Sequence, residues 1–436
     1  MGRHVGASRN KREVTLGQAQ AEDRPDDIRR SGRFILSGLS VSHGLFHTFH
    51  QSLIVLLPEI KDAFNLTEVG VGAIAATERT ADGLVSAPAG IASDMHRRHW
   101  GLILAVCMGL FGVGWLIIGS APVFAVLLVG IAVVAVAASV WHLPATAAIS
   151  EHFPTKRATA LGVHAIGGNI GDVVGPLMTT GILLGILTWR GVLSAYAIAP
   201  LVMVAVVYWA FRNIGAMPGT RYQTPTMKTQ LALTRRLLKN RTLWGINLVS
   251  ALRNMSFISM ITFLPIYFDD ELGMSSAVRG FHIALLMLVG MFSTPFLGYL
   301  SDRFGRKQVL VPALILLCGA TLLLVPWGEG IALTAIIVLM SLFLYSDQPI
   351  LTAAALDIVG RRVVNTTLGV LTLARLAPSA AGPLIAGALY QAFGIHATFY
   401  FVAGIFALSA AVLLFIPLTN PNSGVGGRSL AAEKHH

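Results

Sequence analysis

The stretch "SHGLFHTFHQSLIVLLP", residues 42–58, sets three imidazoles in an apolar context. His43, His47 and His50 are spaced i, i+4, i+7, so on a helix they fall within about 60° of one another. Imidazole exchanges protons near neutral pH, binds anions when protonated and ligates transition ions when neutral. Three readings follow. The rings hydrogen-bond to neighbouring helices, or with Gln51 they contact an anionic small molecule or relay protons. Alternatively they hold a divalent metal, since an i, i+4 pair such as His43 and His47 can reach one ion. No cysteine or acidic ligand lies close in sequence, so no metal ligand set is assigned.

Other ionisable groups also lie in apolar runs, where a charge costs at least a few kcal/mol and marks a candidate functional residue. "ATERTADG" carries Glu78 and Asp82 one turn apart, with Arg79 between them. Asp172 sits in "GGNIGDVVGP", and Arg253, Asp347 and Arg375 follow. Four carboxylates against three guanidiniums leave an acid able to change protonation without stranding a charge. Asp172 is the first choice for that proton-binding acid. Gly167, Gly171 and Gly175, spaced i, i+4, i+8, would let a second helix approach it closely, and Pro176 weakens the local ladder. A fixed ion pair, with Arg375 for instance, is the competing reading, as is a local pair with Arg79 for Glu78 and Asp82. His164 and His282 stand alone and read as packing residues. Trp141 reads as a platform for a ligand or as an interfacial anchor.

These residues belong to a chain of 436 residues that is 54% hydrophobic and 12% charged, with a mean hydropathy of +0.69. Apolar runs of about 20 residues, long enough to cross a hydrocarbon core of about 30 Å, recur along it. They predict twelve helices, α1 to α12, near 34–58, 68–92, 100–120, 122–143, 158–186, 191–212, 243–268, 276–300, 308–326, 331–350, 366–392 and 396–417. An even number puts both termini on one side, and 26 of the 32 Lys and Arg then fall on that side. Only Lys61, Arg190 and Arg279 fall on the other. That asymmetry makes the termini cytoplasmic, and it turns the net charge of +11 into a mark of membrane insertion, with no nucleic-acid partner. Residues 1–33 read as a disordered cytoplasmic tail without the apolar core of a secretory signal. The span 213–242 reads as a basic cytoplasmic linker and 418–436 as a cytoplasmic tail. Cys107 and Cys318 have no CxxC spacing, so neither a disulfide framework nor a thiolate site is indicated. No Walker A motif, HExxH or nucleophile motif occurs, and "GGNIG" lies within an apolar helix, so no ATP, nucleotide or other cofactor is implied and the chain does not read as an enzyme.

The two halves repeat. "TALGVHAIGGNIGDVVGPL" (159–177) aligns without a gap with "TTLGVLTLARLAPSAAGPL" (366–384), and "GIASDMHRRH" (90–99) aligns with "GYLSDRFGRK" (298–307). Two homologous six-helix bundles, 34–212 and 243–417, fit a parallel-repeat transporter architecture. The loop "GYLSDRFGRK" resembles the signature of the major facilitator superfamily, and its weaker first copy has Met95 and Arg97 where the basic residue and the glycine are usual. The resemblance implies a gating role for Asp94 and Arg98 in one half and for Asp302, Arg303, Arg306 and Lys307 in the other. It also implies that α1, α4, α7 and α10 border a central cavity.

A narrower resemblance is to the fosmidomycin-resistance type of drug exporter. It rests on "QSLIVLLPEIKDAFNLTEVGVG" (51–72), "VWHLPATAA" (140–148) and "GGNIGDVVGPL" (167–177). His43, Gln51, Ser52, His142 and Asn169 match position by position, whereas Leu-Pro-Ala follows His142 where the family has Pro-Glu. The α5 pattern around Asp172 resembles the motif associated with antiporters. The resemblance implies a monomeric bacterial inner-membrane transporter that exports a small, anionic organic compound in exchange for protons. Asp172, Glu78 and Asp82 would serve coupling. His43, His47, His50, Gln51, His142, Asn169, Arg253 and Arg375 would bind substrate. A carrier of a divalent metal or its chelate, and a non-transporting receptor or scaffold, are the alternative readings.

Overall fold

The computed structural model describes residues 27–153, 155–215, 235, 239–359 and 364–418. The long tails and most of the 213–242 linker fall outside that set, as does the side chain of Asp94. Among the described residues the fold is all-α. Its helices are α1 (Gly32–Val55, continued by Leu57–Phe64), α2 (Glu68–Met95), α3 (Trp100–Ser120), α4 (Phe124–His152), α5 (Arg157–Gly181) and α6 (Trp189–Phe211). In the second half follow α7 (Arg241–Asp270), α8 (Ser276–Phe304), α9 (Arg306–Trp327), α10 (Gly330–Leu344, resumed as Asp347–Val359), α11 (Val364–Phe393) and α12 (Ile395–Phe415). Eight of these are long and apolar enough to cross a membrane. The four that fall short, α1, α2, α5 and α11, carry His43, His47, His50, Glu78, Asp172 and Arg375.

Several ends differ from the sequence expectation for identifiable reasons. α4 continues past Pro144 to His152, because a proline on a well-packed helix removes one ladder bond without stopping the chain. α1 breaks at Leu56, one residue before the Leu-Pro that restarts it. α10 breaks at Tyr345–Ser346, just before Asp347. The two signature loops turn differently. Gly305 takes φ +109° between α8 and α9, a conformation that glycine alone adopts freely. The aligned Arg97 instead begins a 3₁₀ turn, Arg97–His99.

The packing is pseudo-symmetric. α1 lies on α5 as α7 lies on α11, α3 packs on α6 and α4 as α9 packs on α12 and α10, and α2 meets α4 as α8 meets α10. The halves join along α2–α11 and α5–α8, a pair of contacts related by the same operation.

The α1–α5 contact positions the site. A Cβ on Gly167, Gly171 or Gly175 would lie 2.2, 2.2 and 2.3 Å from the carbonyl oxygens of Ser40, Gly44 and Thr48. The glycine stripe therefore brings two backbones into contact, as its spacing implied. Aromatic residues fill the space behind α1: Phe46, Phe111, Trp115 and Trp141 are all buried to within 2%. Trp141 is thus a core residue, neither a ligand platform nor an interfacial anchor.

Gly171→Ala is expected to lower stability by about 1–3 kcal/mol through overpacking. Gly162→Ala, whose Cβ would meet nothing within 4 Å, is expected to leave stability within about 1 kcal/mol. Thermal unfolding of the two variants in detergent distinguishes them.

Candidate functional site

Because α1 lies directly on α5, each helix 1 histidine finds its own partner. His43 Nδ1 donates to the His164 carbonyl at 2.9 Å. His47 Nδ1 meets Asp172 Oδ1 at 2.8 Å, and Gln51 Nε2 donates to the same oxygen at 3.0 Å. His50 Nε2 lies 3.7 Å from Glu78 Oε1, whose other neighbour is Arg79 at 2.5 Å. The shared helical face is therefore real, but its three rings turn to three different partners. Asp172 is thus held by an imidazole and an amide, not by the fixed Arg375 pair weighed from the sequence. Arg375 lies within electrostatic reach of Asp82.

A second layer surrounds His43. Its ring stacks on His164 at 4.2 Å and 12°, and lies edge-on to His47 at 4.5 Å and to His142 at 4.9 Å. The single His164 is therefore no isolated packing residue. His282 is one: its nitrogens reach the Val278 carbonyl and the Thr334 hydroxyl. Below Asp172, the hydroxyls of Ser52, Thr179 and Tyr196 form a buried network. Sequence reasoning noted Ser52 and missed the other two, which only the fold brings together. Asn169 sits half-buried on α5.

The second half offers a locked cation. Buried Arg253 donates from Nε to Asp347 Oδ2 at 2.6 Å and from Nη2 to the Leu344 carbonyl, and it lies 4.6 Å from the Phe257 ring. The break in α10 supplies this site: it frees the Leu344 carbonyl and starts the resumed helix on Asp347. A carboxylate at a helix N-terminus is also favoured by the helix dipole.

Charged groups divide between the two faces of the molecule. On the basic face, from which α1 starts and at which α12 ends, several ion pairs form within a half. Arg97 pairs with Glu151, and Arg306 pairs with Asp302 and Asp357. Lys307 donates to the Leu414 and Ile416 carbonyls, Arg303 lies over Phe304, and Arg98 is exposed. On the opposite face two cations each bridge the halves. Arg279 bonds Glu59 and Asp269, and Lys61 bonds Glu68 and Asp270. The sequence signal for this clasp was available. Lys61 and Arg279 are two of the three basic residues on a side where topology disfavours them.

The glycines agree with that division. At the clasped end, a Cβ on Gly72 or Gly387 would strike the other half's backbone at 2.4 Å, and one on Gly280 would strike the Thr180 hydroxyl. At the basic end of the same helices, Gly90, Gly162 and Gly298 would meet nothing within 4 Å. Among the described residues, the halves touch at the opposite face, whereas Gly162 of α5 and Gly298 of α8 have open space beside them at the basic face.

Comparison with known proteins bears on this arrangement. The family model of the Major Facilitator Superfamily matches residues 39–294 and again 248–432. The chain is 22% identical to the fosmidomycin resistance protein of Escherichia coli (strain K12) over 293 residues, covering 66% of this chain and 70% of that protein. It is 23% identical to the uncharacterized MFS-type transporter YfnC of Bacillus subtilis (strain 168), over 85% of this chain and 89% of the relative. Among solved structures, a bacterial homologue of the human lysosomal transporter Spinster, inward-facing and occupied, superposes with a TM-score of 0.74 at 18% identity, over 89% of this chain and 97% of that one. The nucleoside transporter NupG gives 0.72 at 13% identity, over 87% and 98%.

Arg279→Gln removes the cation that joins Glu59 to Asp269 across the halves. Hydrogen bonds to charged groups contribute roughly 1.5–3 kcal/mol each, so the closed end should open more often. With Thr180→Cys as a reporter at the α5–α8 contact, maleimide labelling is expected to be about ten-fold faster in the Arg279→Gln background, a change worth roughly 1.4 kcal/mol. An unchanged rate would remove the clasp from the account.

Proposed function

Since the chain belongs to the Major Facilitator Superfamily and is a multi-pass membrane transporter, not an enzyme, we propose that it exports a small organic anion in exchange for protons. The observation that carries this reading is the pair of hydrogen bonds that His47 and Gln51 make to one oxygen of Asp172. An imidazole exchanges protons near neutral pH, and an amide can serve either protonation state of an acid. In the geometry seen, Gln51 donates from Nε2 while its buried Oε1 has no partner. A flip of the amide would offer that oxygen to the O–H of protonated Asp172. Asp172 is the coupling acid in this reading, and His47 its relay. Glu78 and Asp82 are secondary candidates, since Arg79 and Arg375 sit close to them.

The basic face is the cytoplasmic one in this reading, because positive charge marks the inside. The bundle is then open inward, with Asp94, Arg98, Asp302, Arg303, Arg306 and Lys307 as the inner gate and the Arg279–Lys61 clasp as the outer one. Alternating access rocks 34–212 against 243–417. The protein acts as a monomer in the bacterial inner membrane, with both termini in the cytoplasm. Export as the direction is supported by the likeness to the fosmidomycin resistance protein. An anionic cargo is supported by the two guanidiniums Arg253 and Arg375 in the second half; in this reading His43, His47, His50, Gln51, His142 and Asn169 of the first half bind it with them. An anion arriving at Arg253 would exchange with Asp347 for the same guanidinium. A metal-cargo reading built on His43, His47 and His50 as joint ligands is not favoured, because each of the three rings has a separate partner.

In proteoliposomes with a trapped pH dye, a fosmidomycin-like phosphonate added to one side is expected to produce a saturable pH change in the wild type. Asp172→Asn should reduce that proton flux at least ten-fold. Undiminished flux in Asp172→Asn would end the coupling role.

A further inference from the structure

His164 is 3% exposed, and neither of its ring nitrogens has a hydrogen-bond partner. A buried polar group left this way is costly, so a native structure normally gives it something to bind. Its neighbours show what that is. The Nδ1–H of His43 is committed to the His164 carbonyl. That bond fixes the tautomer and leaves the His43 Nε2 lone pair free, the arrangement a backbone carbonyl imposes on metal-ligating histidines. His142, from α4, lies edge-on to the His43 ring. One nitrogen from each of the three rings lies within 4.8 Å of the other two. The His164 ring stacks on that of His43 at 12°, so a shared ion requires the His164 ring, which no hydrogen bond holds, to turn until its lone pair meets the plane of His43.

We propose that His43, His142 and His164 form a binding site for a single divalent transition ion of the zinc, nickel and cobalt class. Three imidazoles without a carboxylate or thiolate favour such borderline ions over magnesium or calcium. Three protein ligands leave a further position open to water, as in zinc sites that are not purely structural. His43 and His142 are only partly buried, which leaves the trio a route for an ion to enter. The donors come from α1, α4 and α5, and a bound ion ties these three helices of one bundle together. His47 is a neighbour whose Nδ1 is already committed to Asp172. The site does not depend on the identity of the exported cargo, and its test does not use transport.

The test is equilibrium binding of Zn²⁺ and Co²⁺ to the untagged full-length protein in detergent, by competition with a chromophoric chelator. The wild type should bind one ion that His142→Ala and His164→Ala each weaken at least ten-fold, whereas His50→Ala and His396→Ala leave it unchanged. Bound Co²⁺ should show the intense visible bands of a four-coordinate nitrogen site, and these should vanish in His142→Ala. Zn²⁺ should raise the thermal unfolding midpoint of the wild type and not that of His142→Ala. This reading of the half-exposed residue stands even if His164→Ala does not fold. No ion bound by the wild type, or full affinity and unchanged Co²⁺ bands in His142→Ala, would overturn the proposal.

Discussion

The backbone contact between α1 and α5 is the constraint on which the rest of the first half depends. Three glycines one turn apart bring the carbonyls of Ser40, Gly44 and Thr48 within reach of α5. At that separation the side chains beside the contact line must meet. His47 and Gln51 therefore close on Asp172, and His43 on the His164 carbonyl. A methyl group on the stripe would push α1 away and lengthen these bonds together. Polar chemistry inside an apolar bundle thus follows from a steric feature that carries no polar atom of its own.

The second half uses the same architecture for another purpose. The segment aligned with the α5 stripe reads "TTLGVLTLARLAPSAAGPL", which has lost most of its glycines and gained Arg375. The charged pair here is Arg253 with Asp347, made between α7 and the resumed part of α10. One half thus presents an acid with a proton-exchanging partner, and the other presents guanidiniums. The two halves place unlike polar groups on either side of a common interface. The clasp at Glu59, Lys61, Asp269, Asp270 and Arg279 holds the halves together at one end.

Much of this was legible in the sequence. Apolar length and the internal repeat fixed the fold class, since helices in lipid must satisfy their own backbone groups. Gly167, Gly171 and Gly175 announced a close helix contact, and Asp172 stood out by its cost. The identity of partners was not legible. The i, i+4, i+7 spacing put His43, His47 and His50 on one face, but which neighbour each ring meets depends on where α2 and α5 lie around α1. His164 looked solitary because its companions, His142 and His43, lie more than 20 residues earlier in the chain. The breaks in α1 and α10 escaped notice because an apolar run continues through them. The role of Trp141 was misjudged because periodicity does not tell a core-facing position near a helix end from an interfacial one.

The central claim is that Asp172 takes and releases the proton. Infrared difference spectroscopy of the reconstituted protein across a pH titration tests it directly, through the carbonyl stretch of a protonated carboxylic acid. The account predicts a band that appears on acidification, shifts when His47 is replaced by glutamine, and is absent in Asp172→Asn. A band that persists unchanged in Asp172→Asn would place the proton elsewhere and contradict the account.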